Sequence, residues 1–291
     1  MALLSVGANA QDFFPEDVRI YINPGHGSWG PNNRHMATIG HSPISSEAPD
    51  TTDFFESNTN LRKALELLER LHQYGVPFDK TKNQENSNPN RIGAALDLSQ
   101  NLVMSHVKCG PFPYSNVKDD ALGYIPDDQN NDFNRKLSEI AAEVEANNFD
   151  MFISIHSNAA SEGNTTNYLY FAWDNKYINS DGSAKNDTGA AIRDLSIEMA
   201  QKGWNQRILD RHTQWSHYDC LVGQGTVKIG QQNLGVLNHT VPGYLVEGYF
   251  HTYQPARHKA MNWDACRWEG QRYAKGFNDY FGWGKKDSYG T

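Results

Sequence analysis

Asp150-Met151-Phe152-Ile153-Ser154-Ile155-His156-Ser157-Asn158 decides how this chain folds. The β-branched and aromatic residues between Asp150 and Ile155 make a strong strand, and three polar residues follow at its end. A helix over about Asn134 to Asn147 leads directly into it, with Leu137, Ile140, Ala141 and Val144 on one face. Upstream, Val18 to Asn23 is a second strong strand, stopped by Pro24-Gly25. Between the two lies a helix from Glu56 to Tyr74. There Leu61, Ala64, Leu65, Leu68 and Leu71 recur at three- and four-residue steps, and Gly75 supplies the C-terminal stop.

Downstream, Tyr168 to Trp173 predicts a strand and Ala190 to Lys202 a helix carrying Ile192, Leu195 and Met199. Gly243 to Glu247 predicts a short buried strand, and about Pro255 to Phe281 a final helix. Strands alternating with helices specify the α/β class: a single mixed, mostly parallel sheet with helices on both faces and long loop insertions. The insertions fall near 80–131, where Arg91 to Met104 can form a helix of its own, and near 204–232. No repeat or linker divides the chain. One domain over 17–283 is expected, after a leader at 1–16 and before a tail at 284–291.

The 291 residues are 38% apolar and 12% aromatic, enough for an ordinary globular core. A mean hydropathy of −0.69 fits long polar loops around that core. The net charge of −8 argues against nucleic acid as a partner, because phosphate binding relies on clustered Lys and Arg. No apolar run is long enough for a transmembrane helix. Cys109, Cys220 and Cys266 lie outside any Cys-x-x-Cys spacing, so they form no zinc knuckle, and their odd number precludes full pairing within one chain. Ala8 and Ala10, just before Gln11, resemble the end of a secretory signal, although a basic n-region is missing. The sequence leaves the oligomeric state open.

In open α/β sheets the ligand crevice lies beyond the carboxyl ends of the strands. His26 follows the first strand, His156 the second, and Glu247 ends the strand from Gly243. Glu56, starting the first long helix, reaches the same rim if that helix returns from the crevice side. Two histidines and a carboxylate are a known ligand set for catalytic zinc, and a second carboxylate can then move the proton of an attacking water. Strand-end placement alone is a moderate signal. The chain has 11 histidines and no local His-Glu-x-x-His motif, and an ordinary hydrogen-bonded loop residue is the plain alternative at each position.

Four blocks sharpen this reading: Ile22-Asn23-Pro24-Gly25-His26-Gly27; Glu56 with Asn60-Leu61; Asp150 to Ala159; and Val241-Pro242-Gly243-Tyr244-Leu245-Val246-Glu247. In order and content they resemble the zinc-dependent N-acetylmuramoyl-L-alanine amidases of the amidase_3 type. The resemblance runs from Val18 to about Phe281 and implies an α/β sheet and zinc held by His26, Glu56 and His156, with Glu247 as the catalytic carboxylate. It also implies peptidoglycan or muropeptides as substrate, cleavage of the amide between the muramoyl lactyl group and L-alanine, and work in the periplasm or outside the cell. Arg135 matches an arginine common in the family and is read as structural.

The chain departs from the family in places. Ser28 stands where a second glycine is usual, and the connection to Glu56 is long, with His35, His41, Glu47 and Asp53 inside it. Glu47 is therefore a rival ligand, and the register of Glu56 with Asn60-Leu61 favours Glu56. After Glu247 the chain reads Gly248-Tyr249-Phe250-His251 in place of a Gly-Phe pair. His212 and His217 are candidates for a second metal site, although loop histidines usually serve none. Two other functions stay open: a zinc peptidase on the same scaffold, and a catalytically silent wall-binding module.

Overall fold

The computed structural model describes residues 13–25, 56–79, 97–105, 137–158, 168–170, 177–179, 183–209, 226–228, 235–250 and 262–285. In chain order the elements are β1 (Ile20–Pro24), α1 (Glu56–Gln73), β2 (Leu102–Met104), α2 (Leu137–Ala146), β3 (Met151–Asn158) and β4 (Tyr168–Tyr170). They continue with α3 (Asp187–Leu209), β5 (Thr226–Lys228), β6 (Gly243–Phe250) and α4 (Trp263–Phe281). The strands form one sheet in the order β2-β1-β3-β6-β4-β5. β2, β1, β3 and β6 run parallel, β4 is antiparallel to β6, and β5 is parallel to β4. This is the mixed, mostly parallel α/β sheet that the alternation of elements predicts.

Side chains alternate across each strand and so separate two cores. Ile20, Ile22, Met151, Ile153, Ile155, Tyr244 and Val246 face Leu61, Leu65 and Leu68 of α1, Met199 of α3 and Phe277 of α4. On the other face Tyr21, Val103, Phe152 and Leu245 pack with Ile140 and Val144 of α2. Each fully buried aliphatic side chain contributes about 1.5–3 kcal/mol relative to exposure. α1 ends where expected, with Gly75 at φ 111°. α4 is capped by Asn262, whose side chain accepts from the Ala265 N–H, and closes on Gly282 at φ 70°.

Several boundaries differ from the sequence reading. Residues 102–104 are a strand, not the end of a helix, because they pair with β1 as its outer neighbour. Thr226 to Lys228, inside a stretch read as a loop, is the other edge strand. α3 starts at Asp187 and runs on to Leu209, well into that same stretch. α4 starts only at Trp263, since Asn262 is extended and serves as its cap. β3 and β6 both outrun their expected ends by three residues, reaching Asn158 and Phe250.

α1 is buried nearly all round, although its sequence suggests one apolar face. Its polar side lies against α4, where the Lys63 ammonium pairs with Glu269 at 3.3 Å and both side chains are fully buried. Tyr273 also donates to Glu269, and Gln271 donates to Glu66 at 2.7 Å. Burial pushes the Cys266 thiol in this layer up to about 11, so it packs as a small apolar group rather than as a nucleophile. Among the described residues no helix is long and apolar enough to cross a membrane.

Candidate active site

On the α2 face the sheet becomes more polar toward the carboxyl ends of its parallel strands. The row Tyr21, Val103 and Phe152 is apolar. Two residues further on, Ser105 just past β2, Asn23 of β1 and Ser154 of β3 form a buried hydrogen-bonded line. The Ser154 hydroxyl donates to Asn23 Oδ1 at 2.6 Å, and Asn23 Nδ2 donates to Ser105 Oγ at 2.8 Å. Another two residues along, His156 and Glu247 stand side by side as register partners on β3 and β6. The alternation that puts Ile155 and Val246 into the α1 core turns these two to the opposite face. Just beyond, the β3–β6 register shifts between His156 and Asn158.

The relative lengths of the strands create the polar site. Ile155 accepts the Gly25 N–H at 2.7 Å, so its backbone points toward β1. Ser157, two residues later, directs its N–H to the same side, but β1 has ended at Pro24. The Glu56 carboxylate fills that position, with Oε1 accepting the Ser157 N–H at 2.8 Å. Glu56 is the first residue of α1 and is buried, and its charge is favoured at a helix N-terminus. The same oxygen lies 3.4 Å from His156 Nδ1. A carboxylate oxygen and an imidazole nitrogen this close can share one cation.

Gly25 has a second task besides ending the strand. A Cβ there would lie 2.1 Å from His156 Nε2, so the imidazole occupies the space that any side chain would need. The Gly25 carbonyl accepts from Asn60 Nδ2 at 3.1 Å, and the same amide nitrogen is 3.4 Å from Glu56 Oε1. The sequence reading gave no role to Asn60, Ser157, Ser154 or Ser105. Only the i, i+4 spacing of Glu56 and Asn60 on α1 signals that these two share a face.

Of the four expected residues, Glu56, His156 and Glu247 come to one rim. His156 and Glu247 lie within their strands rather than after them, because β3 and β6 extend past β1. His26, next in sequence after Gly25, lies outside the described residues, as do His35, His41, Glu47, Asp53, Arg135, His212, His217, His251, Cys109 and Cys220. Among the described residues no group of three His, Cys, Asp or Glu side chains gathers as a complete metal site.

No family model matches the sequence, and no curated protein does either. Solved structures do match in fold. The amidase Ami1 from Mycobacterium abscessus aligns over 90% of this chain and 98% of its own, at 14% identity and a TM-score of 0.51. The CwlD amidase from Clostridioides difficile, solved with the GerS lipoprotein, aligns over 91% and 98%, at 14% identity and a TM-score of 0.50. Cwp6 from Clostridium difficile aligns over 90% of this chain and 29% of its own, at 18% identity and a TM-score of 0.52. The chain has the fold of the N-acetylmuramoyl-L-alanine amidases.

Proposed function

We propose that the chain is a zinc-dependent N-acetylmuramoyl-L-alanine amidase, hydrolysing the amide between the muramoyl lactyl group and L-alanine of peptidoglycan. Its place of work is then the periplasm or the cell exterior, where peptidoglycan lies. The observation that carries the reading is the meeting of Glu56 and His156, with Glu247 as the register partner of His156. Zinc ligands at about 2.0–2.1 Å in a tetrahedral site stand roughly 3.3 Å from one another. Glu56 Oε1 and His156 Nδ1 are 3.4 Å apart, which fits two corners of such a site. His26 follows Gly25 directly, and Gly25 lies against the His156 ring and is joined to Glu56 through the Asn60 amide, so chain continuity supports His26 as the third ligand.

Bound zinc supplies Lewis-acid polarisation of the amide carbonyl and greater acidity for a water. The protein residues do the rest. Glu56 and His156 are fixed by α1 and β3, so little reorganisation is needed when substrate arrives. Glu247, half-buried beside His156, takes the proton of the attacking water and returns it to the departing L-alanine nitrogen.

The test combines metal analysis with mass spectrometry of digested muropeptides. Glu247→Gln is expected to retain zinc and lose hydrolysis, and His156→Ala to lose the metal. Intact stem peptides released from lactyl sugars support the amidase. Shortened stems would identify a peptidase, and zinc binding without any turnover a silent wall-binding module. Full activity in metal-free protein refutes the zinc reading.

A further inference from the structure

We infer that Asn60 is a positioning residue that aligns the metal-binding segments, an assignment resting on the zinc reading above. Its side chain is fully buried one helical turn after Glu56, at the end of α1 that meets the strand ends. Its Nδ2 faces two acceptors, the Gly25 carbonyl at 3.1 Å and Glu56 Oε1 at 3.4 Å. These contacts fix the orientation of the amide, because Oδ1 in that place would put three acceptor oxygens together.

The Gly25 carbonyl belongs to the peptide unit whose nitrogen is that of His26. This unit is planar, so holding its oxygen sets the direction in which the chain enters His26. Through one NH2 group, Asn60 therefore ties the approach to the first proposed ligand to the carboxylate of the second. That carboxylate oxygen also takes the Ser157 N–H, adjacent to the third ligand, His156. Three segments that are remote in sequence meet at this amide and this oxygen. Donors of this kind orient metal ligands and change metal affinity without touching the ion.

Two variants of similar size test the assignment. Asn60→Leu removes both donors, and Asn60→Asp replaces them with an acceptor and adds negative charge beside Glu56. Zinc affinity is read by competition with a chromophoric chelator, and thermal melting is measured with and without zinc. Asn60→Leu is expected to weaken zinc binding by about 10–100-fold and to shrink the melting shift that zinc produces, while in Asn60→Asp the added negative charge attracts the cation and offsets part of that loss. Asn278→Leu is the control, since Asn278 is also buried but bonds to Asp279 and Lys285 near the end of α4. It should lower the melting temperature and leave zinc affinity unchanged. Asn60→Ser keeps one short donor, and is expected to recover part of the affinity; it also serves if the larger changes prevent folding.

A folded Asn60→Leu protein with wild-type zinc affinity overturns the assignment. So does a loss of affinity matched by Asn278→Leu, because the effect is then general destabilisation. A wild-type protein that binds no zinc overturns the metal reading itself, and the assignment with it.

Discussion

Lowering the pH from 7 to 5 should cost the folded protein about 2 kcal/mol through His239 alone. His239 precedes β6, is 2% exposed, and lies edge-on to Phe152 with ring centroids 4.8 Å apart. Burial pushes its pKa from 6.5 down to about 4, against the opposing influences of the Glu145 carboxylate and the Val241 backbone. Above pH 6.5 the imidazole is neutral in both folded and unfolded chains, and stability does not depend on it. As pH falls toward 4, the unfolded chain takes up the proton first and the native state loses ground. With these two pKa values the loss is about 0.8 kcal/mol at pH 6 and about 2 kcal/mol at pH 5. Urea unfolding of chelator-treated wild type and His239→Leu at pH 7, 6 and 5 measures it. Other titrating groups cancel in the difference between the two proteins, as does the fixed effect of the new side chain. A wild-type-minus-variant difference that stays constant within about 0.5 kcal/mol over this range refutes the reasoning.

Gly25→Ala places a methyl group on the His156 ring, so zinc affinity measured by chelator competition should fall by about 10–100-fold in a folded protein. Lys63→Met leaves Glu269 charged and buried without its ammonium partner, and urea unfolding should register a loss of about 3–5 kcal/mol. Adding Glu269→Leu should recover most of that loss, because the uncompensated charge is then gone. Gly270→Ala brings a Cβ to 2.5 Å from the Lys63 carbonyl and 2.8 Å from Glu66 Cβ. Separating α1 from α4 in this way should lower stability by roughly 1–3 kcal/mol, read from the same unfolding curves.

The parts of the fold that were legible in the sequence are those specified by local pattern. Ile20 to Ile22 and Met151 to Ile155 are continuous strand-forming runs, and the Leu61 to Leu71 spacing has the period of a helix. β2 and β5 are three residues each and pair on one side only, too short to show a two-residue period, so β2 reads as the end of a helix and β5 as loop. Their strand character comes from a partner distant in sequence. The polar contents of the α1–α4 layer escaped for a similar reason. Arg62, Lys63 and Glu66 look like a solvated helix face until Trp263, Glu269 and Gln271 are placed opposite them. At the site, strand-end placement and family blocks pointed to Glu56, His156 and Glu247. The Asn60 amide and the Ser157 N–H depend on how far each strand extends, which residue types do not reveal. His239 carries no mark in the sequence that sets it apart from the other histidines, since its enclosure comes from Phe152 and the chain around it.

The overhang of β3 beyond β1 has an evolutionary consequence. The Ser157 N–H is open to Glu56 because the neighbouring strand stops short of it. One more ladder rung from β1 would occupy that donor and shut the carboxylate out, even with every chemical group retained. Length changes in the segment from Asn23 to Gly25 should therefore be tolerated far less than substitutions on the outer surface of α2. Among descendants of this chain, exposed residues far from the rim are free to drift, while the strand-length difference stays fixed as the gauge that places the chemistry.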